Sequence, residues 1–328
     1  MSILILTLAA CSGDEAAPPP PPPAPTSAAP TPTPTATPTP EPTPTSTPLT
    51  GGPALAVKID HVEAAYPRIG LAAADVVYLD QVEYGLTRLL AVFSSTLPES
   101  VGPIRSARPN DPTILANWGS IPLVHSGASR KTYVHYLDAG THIDVPHGSG
   151  AGFRRDTSRR APHNLLGTPA TLLKTGGGSQ PPKDIGFRYG DPAPGGRSAT
   201  SVSTRYPAVR MNGTYDPDSA GYTIETNGRT EIDALTGAPV HPTTIVIQRV
   251  VTRDSANTVS DSVATPLADL VGSGDATVLR DGKVWEGTWS RASDSAPTIF
   301  EADGQELTFA PGQIWVWFVP VDQTVTLD

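Results

Sequence analysis

Proline decides first what this chain can fold into. Of its 37 prolines, 15 fall within residues 12–50. A proline lacks a backbone N–H and has a fixed φ, so such a run neither completes a sheet ladder nor continues a helix. Pro18 to Pro23 are consecutive, which favours polyproline II at roughly 3.1 Å per residue. The rest of residues 12–50 is mostly Thr, Ala and Ser, with only Asp14, Glu15 and Glu41 charged. The segment reads as a tether that spans about 100 Å when fully extended. Its Thr-Pro alternation also suits O-glycosylation, but a plain spacer is the simpler reading. Packed structure is therefore expected only in residues 51–328, enough for a sizeable core and one to two domains.

Ahead of the tether, residues 1–10 are apolar and end in small residues, the shape of a signal-peptide core. Leu8-Ala9-Ala10-Cys11 resembles a bacterial lipobox, which implies cleavage before Cys11 and lipidation of its thiol. No Lys or Arg precedes the apolar core, so a natural start upstream of Met1 is expected. Acyl chains contribute roughly 0.8 kcal/mol per buried methylene, enough for several to hold a domain on a membrane. Cys11 is the single cysteine, which excludes an intrachain disulfide and a Cys-rich zinc site. The net charge of -9 argues against nucleic acid as partner. No run of about 18 apolar residues offers a spanning helix.

Charge divides the remainder. Residues 51–175 carry 12 basic and 10 acidic residues and six of the seven histidines. Residues 183–328 are strongly acidic, with His241 alone. Residues 176–182, Gly-Gly-Gly-Ser-Gln-Pro-Pro, have linker composition. Chemistry, if present, is expected in the first half.

The first half predicts strands at 54–59, 75–79, 86–93 and 121–125, with Tyr84-Gly85 as a hairpin corner. Asp111-Pro112 predicts a capped helix to about Trp118, and Ser126-Gly127-Ala128-Ser129 a second helix ending near Gly140. A third is expected from Pro169 to Lys174. The second half predicts strands at 222–226, 243–251, 276–279, 284–289, 298–301 and 313–320, several followed by turns such as Asp281-Gly282. Period two places Trp315 and Trp317 on one face. The expected class is α+β: an α/β-type lobe over 51–175 with a mixed sheet and a few helices, then a mostly β domain over 183–328.

Gly102-Pro103-Ile104-Arg105-Ser106-Ala107-Arg108-Pro109 is the most specific block. Arginine captures carboxylate or phosphate through paired donors. Arg154, Arg155, Arg159 and Arg160 form a second cluster with Asp156, next to His163 and Asn164. The Ser126 helix start offers free N–H groups to an anion. An anion-binding cleft would draw on Arg105, Ser106, Arg108, His125, Ser126, Arg154, Arg159, His163 and Asn164. The alternative is that Arg105 and Arg108 pair internally with Asp60, Glu83 or Asp156. Asn164 is placed to orient His163, and Asp156 to raise its pKa. Catalytic candidates are His163, Asp156, Asp60 and Glu83. Glu83 and Arg88 read more simply as a cross-strand ion pair. No nucleophile elbow is present. The His142-to-His147 loop fixes no metal geometry, so no metal and no cofactor are expected. The tryptophans Trp285, Trp289, Trp315 and Trp317 read as core.

Several segments together resemble a known family. They are Lys58-Ile59-Asp60, Gly70-Leu71 with Ala74-Asp75-Val76-Val77-Tyr78, Glu83-Tyr84-Gly85-Leu86-Thr87-Arg88, the Val101-to-Pro109 block, and Ala161-Pro162-His163-Asn164-Leu165. All are similar to the YerB-like bacterial lipoproteins, a two-domain family of unknown function. Gly272-Ser273-Gly274, Asp281-Gly282-Lys283, Gly287-Thr288-Trp289 and Pro311-Gly312-Gln313-Ile314-Trp315 resemble its carboxy-terminal domain. Leu166 stands where the resemblance would place a tyrosine. The resemblance implies an extracytoplasmic lipoprotein and supplies no activity. The expected function is therefore a lipid-anchored envelope protein that binds an anionic ligand, such as a wall polymer, or an envelope protein. An envelope hydrolase or transferase using His163 with Asp60 or Asp156 is the alternative, and a structural adaptor the third.

Overall fold

The computed structural model describes residues 52–328 except 179–180 and 261–262. The signal segment, Cys11 and the tether lie outside the described residues, as does part of the 176–182 linker. Among the described residues no helix is long and apolar enough to cross a membrane.

A 12-stranded mixed sheet organises the chain. The first half contributes β1 (Leu55–Asp60), β2 (Val76–Gln81), β3 (Thr87–Phe93), β4 (Pro122–His125) and β5 (Ile143–Pro146). Their order is β2-β3-β1-β4-β5. The sheet does not stop at the linker. The Ile314–Pro320 strand lies between β2 and the Thr244–Val250 strand, parallel to both. Beyond follow the long Gly272–Arg280 and Lys283–Arg291 strands and shorter edge strands. The two halves of the sequence thus share one ladder at β2, where Val77 faces Trp315 and Leu79 faces Trp317.

Both faces of the sheet are covered around its middle, so β1 to β3 are buried along almost their whole length, as β3 shows with seven buried residues. On one face Leu55, Val57 and Ile59 meet Trp315 and Trp317 and a 5-stranded antiparallel sheet. That sheet contains Ser201–Tyr206, Val209–Asp216 and Gly221–Thr226, and supplies Val202, Tyr206, Met211 and Ile224. On the other face Ala54 and Ala56 meet Trp118, Phe187, Phe309 and Phe318. Burying each large apolar side chain contributes about 1.5–3 kcal/mol.

The expected α/β-type lobe contains less helix than anticipated. Among the described residues the α-helices are α1 (Asn110–Leu115), α2 (Arg130–His135) and α3 (Pro169–Thr175), six, six and seven residues long. The fold is mostly β. Asp111 does not cap α1. It sits in the first turn, where its Oδ2 accepts from the Arg108 N–H at 2.7 Å. The second helix begins four residues after Ser126 and is capped by Ser129, whose Oγ accepts from the Thr132 N–H at 3.0 Å. It ends in a 3-10 turn, Leu137–Ala139.

Candidate functional site

β1 changes character along one face. Ala54 and Ala56 belong to the core, but Lys58 and Asp60, two and four residues on, are charged and completely buried. Alternation puts all four on the same side of the sheet. Neighbouring strands repeat the change: Tyr78 gives way to Asp80 on β2, and Leu90 and Val92 to Arg88 on β3. The sheet therefore carries a buried polar end beneath an apolar middle.

Two groups occupy it. Lys58 Nζ lies 2.5 Å from Asp111 Oδ1 and 3.9 Å from Asp80 Oδ2. Asn110 donates to Asp80 Oδ1 at 2.9 Å. One ammonium thus serves two carboxylates. Burial, with Asp111 nearby, outweighs the attraction of Lys58 and pushes Asp80 up to about 7.

The second group centres on Asp60. His163 Nδ1 lies 2.6 Å from its Oδ2, which Arg105 Nε also approaches at 3.3 Å. Its Oδ1 faces Arg88 Nη1 at 3.4 Å. A carboxylate only accepts, so the shared proton resides on His163 Nδ1, leaving Nε2 directed away from Asp60. Arg108 binds Glu83 through Nε at 2.8 Å, and Thr265 donates to the same carboxylate at 2.5 Å. Burial pushes Arg88 down to about 10. The Asp60 carboxylate opposes that shift, while the Arg108 and Arg105 charges add to it. Asp60 Oδ1, Arg88 Nε and Arg105 Nε are buried without a hydrogen-bond partner.

Backbone pairing explains the convergence. The Gly102-to-Pro109 block runs as an extended seam: Ile104 N–H donates to Leu165 C=O at 2.6 Å, and Arg105 N–H to Lys58 C=O at 2.8 Å. Asp60 N–H donates to Pro103 C=O at 2.9 Å, and Ser126 N–H to Arg105 C=O at 3.0 Å. A Cβ at Gly102 (φ +148) would meet Leu165 O at 2.9 Å, so glycine is needed for the seam to close. The seam brings Arg105 to Asp60, and Ser106 Oγ to Ser126 Oγ at 3.4 Å. Tyr84, in the left-handed region at φ 60, stands 66% exposed beside Glu83.

Other expected site residues lie elsewhere. His125 is fully buried, held by Asp144 at 2.6 Å and Gly127, because it belongs to an interior strand. Arg154 donates to Ser100 Oγ at 2.9 Å. Arg159 reaches the Ala65 and Pro67 carbonyls at 3.1 and 2.9 Å and pairs with Asp156 at 3.2 Å. Asn164 does not orient His163. It bridges Arg155, Asp156 and Arg159. Asp156 bonds Ser158 and Arg159, so the acidic partner of His163 is Asp60 instead. The anticipated Glu83–Arg88 pair is replaced by Glu83–Arg108 and Asp60–Arg88, because the seam lays Arg108 over the hairpin corner. Sequence reasoning missed Arg88 and Lys58 as members. The signal was present in the alternation Ala54-Ala56-Lys58-Asp60.

A further buried network ties the halves together. Arg68 Nη1 binds Glu231 Oε2 at 2.5 Å, and His61 Nε2 lies 3.3 Å from Glu231 Oε1. Burial alone would raise Glu231, but the Arg68 charge with the His61 and Thr226 hydrogen bonds brings it down to about 2. Burial and the Arg68 charge hold His61 below the usual imidazole range.

This arrangement can be placed among known proteins. Residues 38–181 match the N-terminal domain, and residues 202–316 the C-terminal domain, of a family described as protein of unknown function (DUF3048). The chain belongs to this family. The protein YerB of Bacillus subtilis (strain 168), provisionally named a lipoprotein, is 27% identical over 277 residues, 81% of each chain. The crystal structure of YerB from B. subtilis matches with a TM-score of 0.72 at 26% identity, covering 85% of this chain and 95% of that one. The resemblance to YerB-like proteins drawn from the Arg105 and His163 motifs is therefore shown. In DUF3048 terms, Asp60, Glu83, Arg88, Arg105, Arg108 and His163 all come from the N-terminal domain, while Arg68–Glu231 joins the two.

Proposed function

We propose that this chain is an extracytoplasmic lipoprotein, anchored through Cys11, which binds an anionic envelope ligand over Arg105, Arg108 and His163. The observation that carries the reading is an imbalance: three guanidinium groups, Arg88, Arg105 and Arg108, share two carboxylates, Asp60 and Glu83. Two of the guanidinium Nε atoms lack a hydrogen-bond partner. A carboxylate or phosphate would meet the exposed part of the Arg105 guanidinium with charge-assisted bonds and add negative charge beside the buried Arg88. Arg105 and His163 side chains are 25% and 21% exposed, so a ligand reaches them while Asp60 holds them from below. The lipoprotein name of YerB and the lipobox-like run at Cys11 support the anchor.

Titration with a polyol-phosphate polymer and with a peptide bearing a free C-terminal carboxylate, at low and high salt, tests this. Binding that weakens with salt and is lost in Arg105→Ala plus Arg108→Ala supports the reading. Binding unchanged by the double substitution removes it.

One observation favours a second reading, general acid–base chemistry. His163 presents Nε2 with a buried carboxylate behind Nδ1, a geometry that steadies an imidazolium. Among the described residues no hydroxyl hydrogen-bonds that Nε2, and Glu83 and Asp156 turn to other partners. Binding is therefore preferred.

A further inference from the structure

A second group of arginines lies on the carboxy-terminal half, where the sequence is most acidic. Arg205 and Arg210 stand directly opposite each other across the antiparallel pair of Ser201–Tyr206 and Val209–Asp216. Both are exposed, and alternation points both to the outer face of the 5-stranded sheet. Like charges in this relation repel. Among the described residues neither has a carboxylate within ion-pair distance. Arg229 begins the short Arg229–Thr230 strand just after the adjacent Asn227-Gly228 turn. Its guanidinium lies over the Tyr66 ring, 3.6 Å from the centroid, and meets Glu63 only at 4.0 Å.

The surface between them is hollow. One cavity of about 280 Å³ is lined by Tyr66, Leu86, Thr226 and Arg229 above the His61–Arg68–Glu231 floor. Another of about 300 Å³ is lined by Arg205, Arg210 and Asn212. They share Ala208, Val209 and Asn227 as a common wall. A chain of net charge -9 thus collects three under-neutralised guanidinium groups along two adjoining hollows. A bound anion would offset the like-charge contact of Arg205 and Arg210 across the two strands.

We infer that the hollows beside the Pro207-Ala208 turn form a second binding site, separate from Arg105 and Arg108, for a ligand with a phosphate group and a ring or apolar portion. The phosphate is taken by Arg205 and Arg210, whose forked donors suit its oxygens. The ring or apolar portion enters the hollow beside the stacked Tyr66 and Arg229 pair, against Leu86 and the Val209 wall. The saturated Arg68–Glu231 pair forms the floor and contributes no free charge.

The test uses the full chain with two probes, inorganic pyrophosphate and an aryl phosphate, followed by calorimetry and by thermal unfolding. Wild-type protein binds both probes, prefers the aryl phosphate, and unfolds at a higher temperature with either. Arg205→Gln plus Arg210→Gln weakens both about tenfold or more. Without probe, this variant unfolds no earlier than wild type at low salt, because the repulsion is gone. Tyr66→Ala lowers only the preference for the aryl phosphate. Arg105→Ala plus Arg108→Ala leaves these responses unchanged, which separates this site from the one proposed above. Equal binding by wild type and the Arg205/Arg210 variant overturns the inference, as does an absence of any response in wild type.

Discussion

His163 Nδ1 and Asp60 Oδ2 lie 2.6 Å apart although 103 residues separate them in the chain. The contact is made on a carboxylate with no solvent exposure that also faces Arg88 and Arg105. Asp60 is thus the hub on which three cationic side chains are held. Asp60→Asn would leave the buried Arg88 without its counter-charge. We expect a loss of about 3–5 kcal/mol in stability, the usual consequence of breaking a buried pair from one side. His163→Ala, which removes a partly exposed partner, should cost about 1 kcal/mol. Urea unfolding of the two variants checks the contrast. Equal losses would show that Asp60 is not the hub.

Stability should depend on pH through Asp80 and Glu231 in opposite directions. Folding raises Asp80 to about 7, chiefly by burial, so between about 4 and 7 the folded state keeps a proton that the unfolded state releases. Its contribution is therefore present at the acid end of that window and is lost as pH rises through about 7. Folding brings Glu231 down to about 2, so its contribution is present above about 4.5 and lost as pH falls towards 2. The two together place the optimum on the acid side of neutrality. Asp80→Asn should flatten the alkaline limb and leave the acid limb in place. Urea midpoints at about pH 5 and about pH 8 measure this.

Arg68 and Glu231 are 2% and 1% exposed and join the two DUF3048 domains. Arg68→Ala strands a buried carboxylate, for an expected cost of about 3–5 kcal/mol. Replacing both by methionine should cost much less than the two single changes together, because no isolated charge is left behind. A double-mutant cycle by chemical denaturation reads the coupling. Additive losses would show that the pair makes no specific bond.

Glycine should matter unequally in the carboxy-terminal strands. A Cβ on Gly287 would lie 2.0 Å from Glu301 O, a backbone atom in a paired strand that cannot swing aside. Gly304 has open space around it and only a left-handed φ of +76. Gly287→Ala should therefore cost about 1–3 kcal/mol or more by overpacking. Gly304→Ala should cost about 1 kcal/mol through its backbone conformation alone. Thermal unfolding of both variants decides the order.

Strands were the most legible part of the fold, because apolar runs such as β3 and Ile314–Pro320 have no amphipathic competitor at helical spacing. Trp315 and Trp317 fell on one buried face as period two requires. Helix lengths were less legible: Ser126 carries the same capping chemistry as Ser129, and only the folded loop shows which is used. The joining of both halves in one sheet could not be read, since nothing local in β2 says that its second neighbour begins at Ile314. At the candidate site, Arg105, Arg108, Asp60, Glu83 and His163 were named from the sequence, and the internal pairing of Arg105 and Arg108 with Asp60 and Glu83 was one of the two readings, but nothing local chose between them. Which carboxylate meets which cation depends on the Gly102-to-Pro109 seam, and therefore on long-range backbone pairing.

Placing Ile314–Pro320 in the middle of the ladder sets a rule of timing. A ribosome delivers the amino end first, yet β2 lacks one of its two neighbours until the Ile314–Pro320 strand has emerged. Early-made segments are therefore kept unfinished, with Val77 and Leu79 awaiting Trp315 and Trp317. Such late closure keeps the first half of the sheet pliable and delays its final locking step until the Ile314–Pro320 strand has been made.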